Sequence, residues 1–90
     1  MIKTKKNYVL QTIGEEYMVI PVGTAAEQFR GMLTLNESAA FYWRELEKGT
    51  TFDSLAALAM ERFEDADEET VKRDIMDFLE EISFATETTP

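Results

Sequence analysis

The sequence predicts an α+β domain in which a three-stranded antiparallel sheet is followed by three helices. Before Asn36 the chain is rich in β-branched and aromatic residues, whereas after Asn36 apolar residues recur at helical spacing. The charge divides the chain at nearly the same place: residues 1–30 carry four basic and three acidic side chains, and residues 31–90 carry five and fifteen. With 90 residues, 44% of them hydrophobic, the chain is long enough for one small globular domain.

Three short segments have the composition of strands. Residues 8–13 are rich in aromatic and β-branched side chains, and Gly14-Glu15 predicts a tight turn into a second strand at residues 16–22. A longer loop at residues 23–31 precedes a third strand at residues 32–35, which completes an antiparallel meander. Three strands are stable only when one face of the sheet is covered, so we expect the helices to pack against it.

Three helices are predicted after the sheet. Asn36 is a strong N-cap for the first helix, which Gly49 ends, and either Thr50 or Thr51 caps the second. Asp67 caps the third helix. The apolar residues of this third helix repeat at the clearest amphipathic spacing in the chain: Val71, Ile75, Phe78, Leu79 and Ile82.

The residue types present narrow the chemistry. The chain has no cysteine and no histidine, which removes disulfides, thiol nucleophiles, the commonest metal ligand and the usual general base near neutral pH. The densest acidic run, at residues 64–69, lacks the glycine and the spacing of a calcium-binding loop. We therefore expect no catalytic residue, no metal site and no cofactor, in a domain that is not an enzyme.

Charge and hydropathy restrict the partners. A net charge of −9 repels nucleic-acid phosphate and anionic lipid. The longest apolar runs are far too short to span a membrane, and the basic N-terminal residues are not followed by the apolar stretch of a signal peptide. The sequence thus predicts a cytoplasmic domain that binds neither nucleic acid nor membrane.

Two kinds of binding fit this order of strands and helices. Two helices followed by an amphipathic third, with a sheet beside them, are typical of a winged helix-turn-helix, whose ordinary function is DNA recognition. The third helix, however, carries six acids against two bases, which is a poor surface for phosphate. A short third strand at a sheet edge instead leaves backbone groups that can accept an extended peptide as an added strand. Leu79 lies at one margin of the helix's apolar stripe and Met76 lies further out. An apolar residue at the position of Met76 is either an ordinary surface residue or part of a groove beside that edge.

Four segments of the chain carry a resemblance to a known family. They are residues 8–10, 16–21, 35–43 and 74–82, and the most specific piece is Leu-Asn-Glu-x-Ala-x-x-x-Trp at residues 35–43. In order and spacing over residues 8–82 the chain resembles the PqqD-like family, also known as the RiPP recognition element of ribosomal peptide natural-product pathways. The resemblance implies a winged helix-turn-helix of three strands and three helices that binds the leader segment of a precursor peptide. It also implies a modifying enzyme as partner, often a radical SAM protein, in peptide natural-product or quinone-cofactor biosynthesis.

The resemblance further implies which residues contact the leader. The leader adds as a strand to the third strand and lies in a groove against the third helix. The matching positions are Met32, Leu33, Thr34 and Leu35 on the strand and Lys72, Ile75, Met76 and Leu79 on the helix. Asn36 and Trp43 match the family signature, and we interpret them as a helix cap and a core residue. Asp74 also matches, and either pairing with a base or placement of the helix would explain it.

Three hypotheses about function stay open at this point. The first is a non-catalytic peptide-binding domain at residues 1–85, with a polar tail at residues 86–90, that acts as a monomer or a homodimer. The second is a winged-helix DNA-binding regulator, which the negative charge disfavours. The third is a domain of this family that serves only as a structural or oligomerising piece, which binding to a precursor peptide would exclude.

Overall fold

A three-stranded sheet, a two-stranded sheet and three long helices form one packed unit in a computed structural model that describes residues 1–28 and 33–89. The elements follow in the order β1 (Ile2–Thr4), β2 (Tyr8–Ile13), β3 (Glu16–Pro21), α1 (Thr24–Gln28), β4 (Leu33–Leu35), α2 (Glu37–Lys48), α3 (Phe52–Arg62), α4 (Glu68–Glu81), a 3₁₀ turn (Ser83–Ala85) and β5 (Thr86–Thr88). The predicted fold class is confirmed, because an antiparallel sheet precedes three helices.

The sheet has the strand order β2-β3-β4, with both pairs antiparallel. Gly14, at φ 63°, begins a two-residue turn that places Ile13 opposite Glu16. A positive φ at this position is the conformation for which glycine is suited in a tight hairpin. The inner face of the sheet contributes Val19 and Leu35 to the core.

Each long helix begins at a side-chain cap. The side chains of Asn36, Thr51 and Asp67 accept hydrogen bonds from the backbone N–H three residues further on, at 2.8, 3.1 and 3.2 Å. Each bond satisfies a donor that would otherwise lack an intrahelical partner. The structure therefore selects Thr51 rather than Thr50 as the second cap, and Gly49, at φ 84°, ends α2 as predicted.

The core lies between the sheet and the three helices. Its largest fully buried side chains are Trp43, Leu46, Leu55, Ile75, Ile82 and Val19. Trp43 is 0% exposed, which confirms its predicted place in the core. Its indole N–H is buried with no hydrogen-bond partner among the residues that the structure describes. Trp43 thus stabilises the fold through apolar packing rather than through a polar contact.

The two ends of the described chain meet in a second, two-stranded sheet. β1 pairs antiparallel with β5, with Ile2 opposite Thr88. Ile2 also exchanges two backbone hydrogen bonds with Thr50, of 2.6 and 2.9 Å, in the link between α2 and α3. This sheet therefore connects both chain ends to the corner between the first two long helices.

Several details differ from the sequence-based expectation. Residues 24–28, expected in a loop, form the short helix α1 after Gly23 turns the chain at φ 61°. The strands β1 and β5 were not expected, since their three-residue segments carry no local strand pattern. The division into a domain at residues 1–85 and a tail at residues 86–90 stays a prediction. Met32, expected in the third strand, lies outside the described residues.

We expect Trp43→Ala to lower the free energy of unfolding by about 3–5 kcal/mol, because it leaves a large cavity in the core. No lost hydrogen bond adds to this cost, since the indole N–H has no partner among the described residues. Trp43→Phe should cost much less, since it keeps a large ring and removes the unpaired N–H. Urea denaturation of the three proteins measures both differences. Equal midpoints for Trp43→Ala and the parent would show that Trp43 is not packed as described.

Candidate functional site

The hydrogen-bonding register of the sheet decides which backbone groups remain free. In a hairpin with a two-residue turn, the residues that flank the turn form a hydrogen-bonded pair, here Ile13 with Glu16. Hydrogen-bonded and non-bonded pairs then alternate along the ladder. Tyr17 and Val19 therefore direct their backbone groups away from β2 and towards β4.

This alternation leaves Thr34 facing outwards. Leu35 and Leu33 stand opposite the β3 residues that bond to β4, so their backbone groups are used within the sheet. Thr34 stands opposite Met18 in the non-bonded pair between them. Its N–H and C=O consequently point to the open edge of β4, where an added strand can bond to them.

The side chains of β4 alternate in the same way. Leu35 is buried and Leu33 is half-buried against the core, whereas Thr34 is exposed. The strand is thus fixed by its two leucines, and its outward residue carries a small polar side chain beside the free backbone groups. Any peptide at this edge would pair with a strand whose leucines pack into the core.

A cavity of about 260 Å³ opens where β4 ends. Its lining comes from the start of α2 and from one face of α4: Asn36, Ser38, Ala39, Asp74, Asp77, Phe78 and Glu81. Asn36 directly follows β4 and has an extended backbone, with φ −78° and ψ 178°. The cavity lining therefore begins at the residue that follows β4 in the chain.

The α4 wall of this cavity is a flank of the helix's buried stripe. At about 100° per residue, Asp74, Asp77 and Glu81 fall on one side of the stripe formed by Val71, Ile75, Phe78 and Ile82. Phe78, only 6% exposed, lies where the stripe meets the cavity. The cavity wall is therefore a carboxylate face above an apolar base.

The helix residues expected to contact a peptide lie elsewhere on α4. Ile75 is fully buried in the core, and Leu79 is half-buried against it. Lys72 and the 61% exposed Met76 fall on the flank opposite to the cavity. The Lys72 ammonium donates to the Glu68 carboxylate at 3.0 Å, and this contact raises the pKa of Lys72. The roles of these four residues in peptide binding stay a prediction.

The cavity residues Ser38, Ala39, Asp77, Phe78 and Glu81 were not among the expected contacts. Their only signal in the sequence is the acidic flank beside the apolar stripe of α4. Helical periodicity locates both flanks of a stripe but does not say which one faces the sheet. That choice depends on how α4 packs against α2.

Asp74 has a neighbour that the sequence did not indicate. The Tyr42 side chain, 4% exposed, lies against the Phe78 ring with 6.0 Å between ring centroids. Burial, and then the negative charge of Asp74, raise the pKa of the Tyr42 phenol above its ordinary value. Asp74 forms no ion pair within the described chain, so the structure offers no support for pairing with a base.

A second concavity, of about 500 Å³, lies on the other side of α2. Arg44 stacks over the Tyr17 ring and Arg62 over the Phe41 ring, with 5.4 and 5.3 Å from guanidinium carbon to ring centroid. Both arginines are thereby engaged with aromatic rings of the protein. This arrangement covers half-buried rings and needs no ligand to explain it.

Residues 1–28 and 33–89 hold neither a candidate metal cluster nor a helix that could cross a membrane. No group of three or more acidic side chains there could hold a metal ion. None of the helices in this part of the chain is long and apolar enough to cross a membrane.

Comparisons with known proteins point to one family. A sequence model described as coenzyme PQQ synthesis protein D (PqqD) matches residues 16–83. A comparison with curated proteins finds no match. Among solved structures, the chain is similar to one described as TbiB1 in complex with the TbiA(beta) leader peptide, with a TM-score of 0.76. The two chains are 21% identical, over 98% of each, and this likeness shows that they share a fold.

We expect Asp74→Asn to lower the pKa of Tyr42, because it removes one of the two causes that raise it. In a Tyr8→Phe/Tyr17→Phe background, Tyr42 is the only tyrosine, and ultraviolet absorbance of the phenolate reports its titration. Because the folded pKa lies above the unfolded value, Tyr42 makes the free energy of unfolding fall as pH rises above about 10.

The control for this prediction is Glu80→Gln, which removes one charge from the same helix at an exposed position outside the cavity. It should leave the Tyr42 titration almost unchanged, since the effect depends on distance. Equal shifts in the two variants would show that net charge, rather than the position of Asp74, sets the pKa.

Proposed function

The chain belongs to the PqqD family, and from that premise we propose that it binds the leader segment of a ribosomally made precursor peptide. In this proposal the domain is non-catalytic and presents the precursor to a modifying enzyme of the radical SAM type. The pathway makes a peptide natural product or a quinone cofactor, and the domain acts in the cytoplasm. It does so as a monomer or a homodimer.

The observation that carries this proposal is the outward-facing backbone of Thr34 beside the cavity. An extended peptide can pair with the N–H and C=O of Thr34 and continue past Asn36 along the α4 wall. Backbone pairing gives affinity with little dependence on sequence. Alternate side chains of the peptide then point towards α4, where shape and charge select among them.

The residues expected to contact the leader divide into those of the β4 edge and the core behind it, and those on the surface of α4. Thr34 supplies backbone bonds, while Leu33, Leu35 and Ile75 hold the strand and the helix from inside the core. Lys72, Met76 and Leu79, together with Met32, remain candidates for contacts further along a bound leader. The cavity residues of α2 and α4 join them as part of the same groove.

The structure gives no support to DNA recognition. Lys72 and Arg73, the two bases of α4, pair with Glu68 and Glu69 at 3.0 and 3.7 Å. The helix that would enter the major groove thus presents acids with no free base among its described residues. Repulsion from phosphate should dominate at this surface.

We expect no retardation of duplex DNA by micromolar protein at physiological salt, because neither α4 nor the net charge favours phosphate. Electrophoretic mobility of a labelled duplex measures this. Saturable retardation that weakens as salt is raised would favour the regulator hypothesis.

We expect Thr34→Pro to weaken leader binding roughly three- to ten-fold. Proline removes the outward N–H of residue 34, which would donate a hydrogen bond to a carbonyl of the added strand. The β3–β4 ladder should survive, since that N–H is not used within the sheet. The measurement is calorimetric titration with the leader of the precursor peptide encoded beside this protein.

Thr34→Val is the matched control, since it changes the side chain and keeps the backbone N–H. It should bind the leader as the parent does. Thermal melts of both variants establish that the fold is intact. If folded Thr34→Pro bound as tightly as Thr34→Val, the edge of β4 would not be where the leader pairs.

A further inference from the structure

The cavity beside β4 has charge on one wall only. Asp74, Asp77 and Glu81 line its α4 side, and none of the described residues that line it is basic. None of the three carboxylates takes part in an ion pair among residues 1–28 and 33–89. The wall therefore carries three negative charges that the described protein leaves without a cation.

The two bases of α4 are engaged with acids of its first turn. Lys72 pairs with Glu68 at 3.0 Å and Arg73 pairs with Glu69 at 3.7 Å, both at the i, i+4 spacing of a helix. These pairs neutralise the first turn of α4. They leave the carboxylates further along the helix uncompensated.

On the opposite wall, the Asn36 side-chain oxygen and the Ser38 hydroxyl are engaged as well. The Asn36 side-chain oxygen accepts the backbone N–H of Ala39 at 2.8 Å and the hydroxyl of Ser38 at 3.0 Å. These donors belong to the cap of α2 and are not directed to the α4 carboxylates. Among residues 1–28 and 33–89 the wall has no positive partner, and a bound molecule can supply one.

We propose that the peptide bound at this groove carries a lysine or arginine whose cationic group lies against Asp74, Asp77 and Glu81. This inference rests on the proposed function, because the open edge of β4 supplies the extended peptide that brings the cation to the wall. Phe78 and Ala39 offer apolar contact for the aliphatic stem, while the charged end reaches the partly solvated carboxylates. The acidic wall thus favours a cationic residue at one fixed position of the peptide, counted from the residue that pairs with Thr34.

Net charge alone makes a different prediction. A protein of charge −9 attracts any cationic peptide, and that attraction depends little on where the cation lies along the chain. A cation recognised by the α4 wall must instead lie at a fixed distance from the peptide residue that pairs with Thr34. The position of the cation along the peptide, and not the peptide's total charge, therefore distinguishes recognition by the α4 wall from general attraction by the net charge.

The experiment selects binders from a display library of random twelve-residue peptides with the parent chain and two variants. The wall variant is Asp74→Asn/Asp77→Asn/Glu81→Gln, and the matched control is Glu61→Gln/Glu64→Gln/Glu80→Gln, whose residues are exposed and outside the cavity. Both variants have the same net charge. Each selection is repeated in the Thr34→Pro background to identify peptides that use the β4 edge.

The parent and the control should enrich peptides with lysine or arginine at one fixed position relative to the apolar ones, and the wall variant should lose that preference while keeping the apolar pattern. The best synthetic peptide should lose about two- to five-fold in affinity when its cation is changed to glutamine, the size of one partly exposed ion pair. The same change should have no effect on the wall variant. Fluorescence anisotropy of the labelled peptide measures both.

Two results would overturn the inference, and they differ in meaning. If edge-dependent peptides are enriched with no positional preference for a cation, or with the same preference for the wall variant, the groove binds peptides but the acidic wall does not select them. If no peptide is enriched in a Thr34-dependent way by any of the proteins, the proposed peptide binding at this edge fails together with the inference.

Discussion

The cap of α2 at Asn36 is the interaction on which the arrangement of this site depends. Its side-chain oxygen holds the first turn of the helix, while its backbone is still extended as it leaves β4. The chain therefore changes from strand to helix within one residue. Because no loop intervenes, the cavity at the start of α2 begins at the residue that directly follows β4. A longer connection would separate the groups that pair with a peptide backbone from those that meet its side chains.

The core fixes the remaining side of the groove. Val71, Ile75 and Ile82 are buried against the rest of the core, which determines the rotation of α4 about its axis. Once that rotation is set, the next residues around the helix, Asp74 and Asp77, face the cavity. The acidic wall is thus placed by apolar packing on the other side of the same helix.

Local features of the chain were sufficient to predict most of the fold. The turn at Gly14 and the caps at Asn36 and Asp67 act over three or four residues, so their signals are complete in the sequence. The pairing of β1 with β5 joins segments more than eighty residues apart and has no local pattern to reveal it. The same distinction applies to the site. The outward direction of the Thr34 backbone follows from the strand register that the Gly14 turn sets, whereas the flank of α4 that faces the cavity depends on tertiary packing.

In the proposed mode of binding, different groups of this fold supply affinity for the peptide, selectivity among peptides and stability of the domain. The backbone of Thr34 offers bonds to any extended peptide, so it cannot by itself distinguish one leader from another. In the proposed mode of binding the α4 wall distinguishes them, and its carboxylates are free to do so because they are exposed and take no part in the core. Substitutions at such exposed positions usually change the free energy of unfolding by less than about 0.5 kcal/mol. The charge of the wall can therefore vary at little cost in stability, while Trp43 and the α4 stripe keep the fold that brings α2 and α4 together.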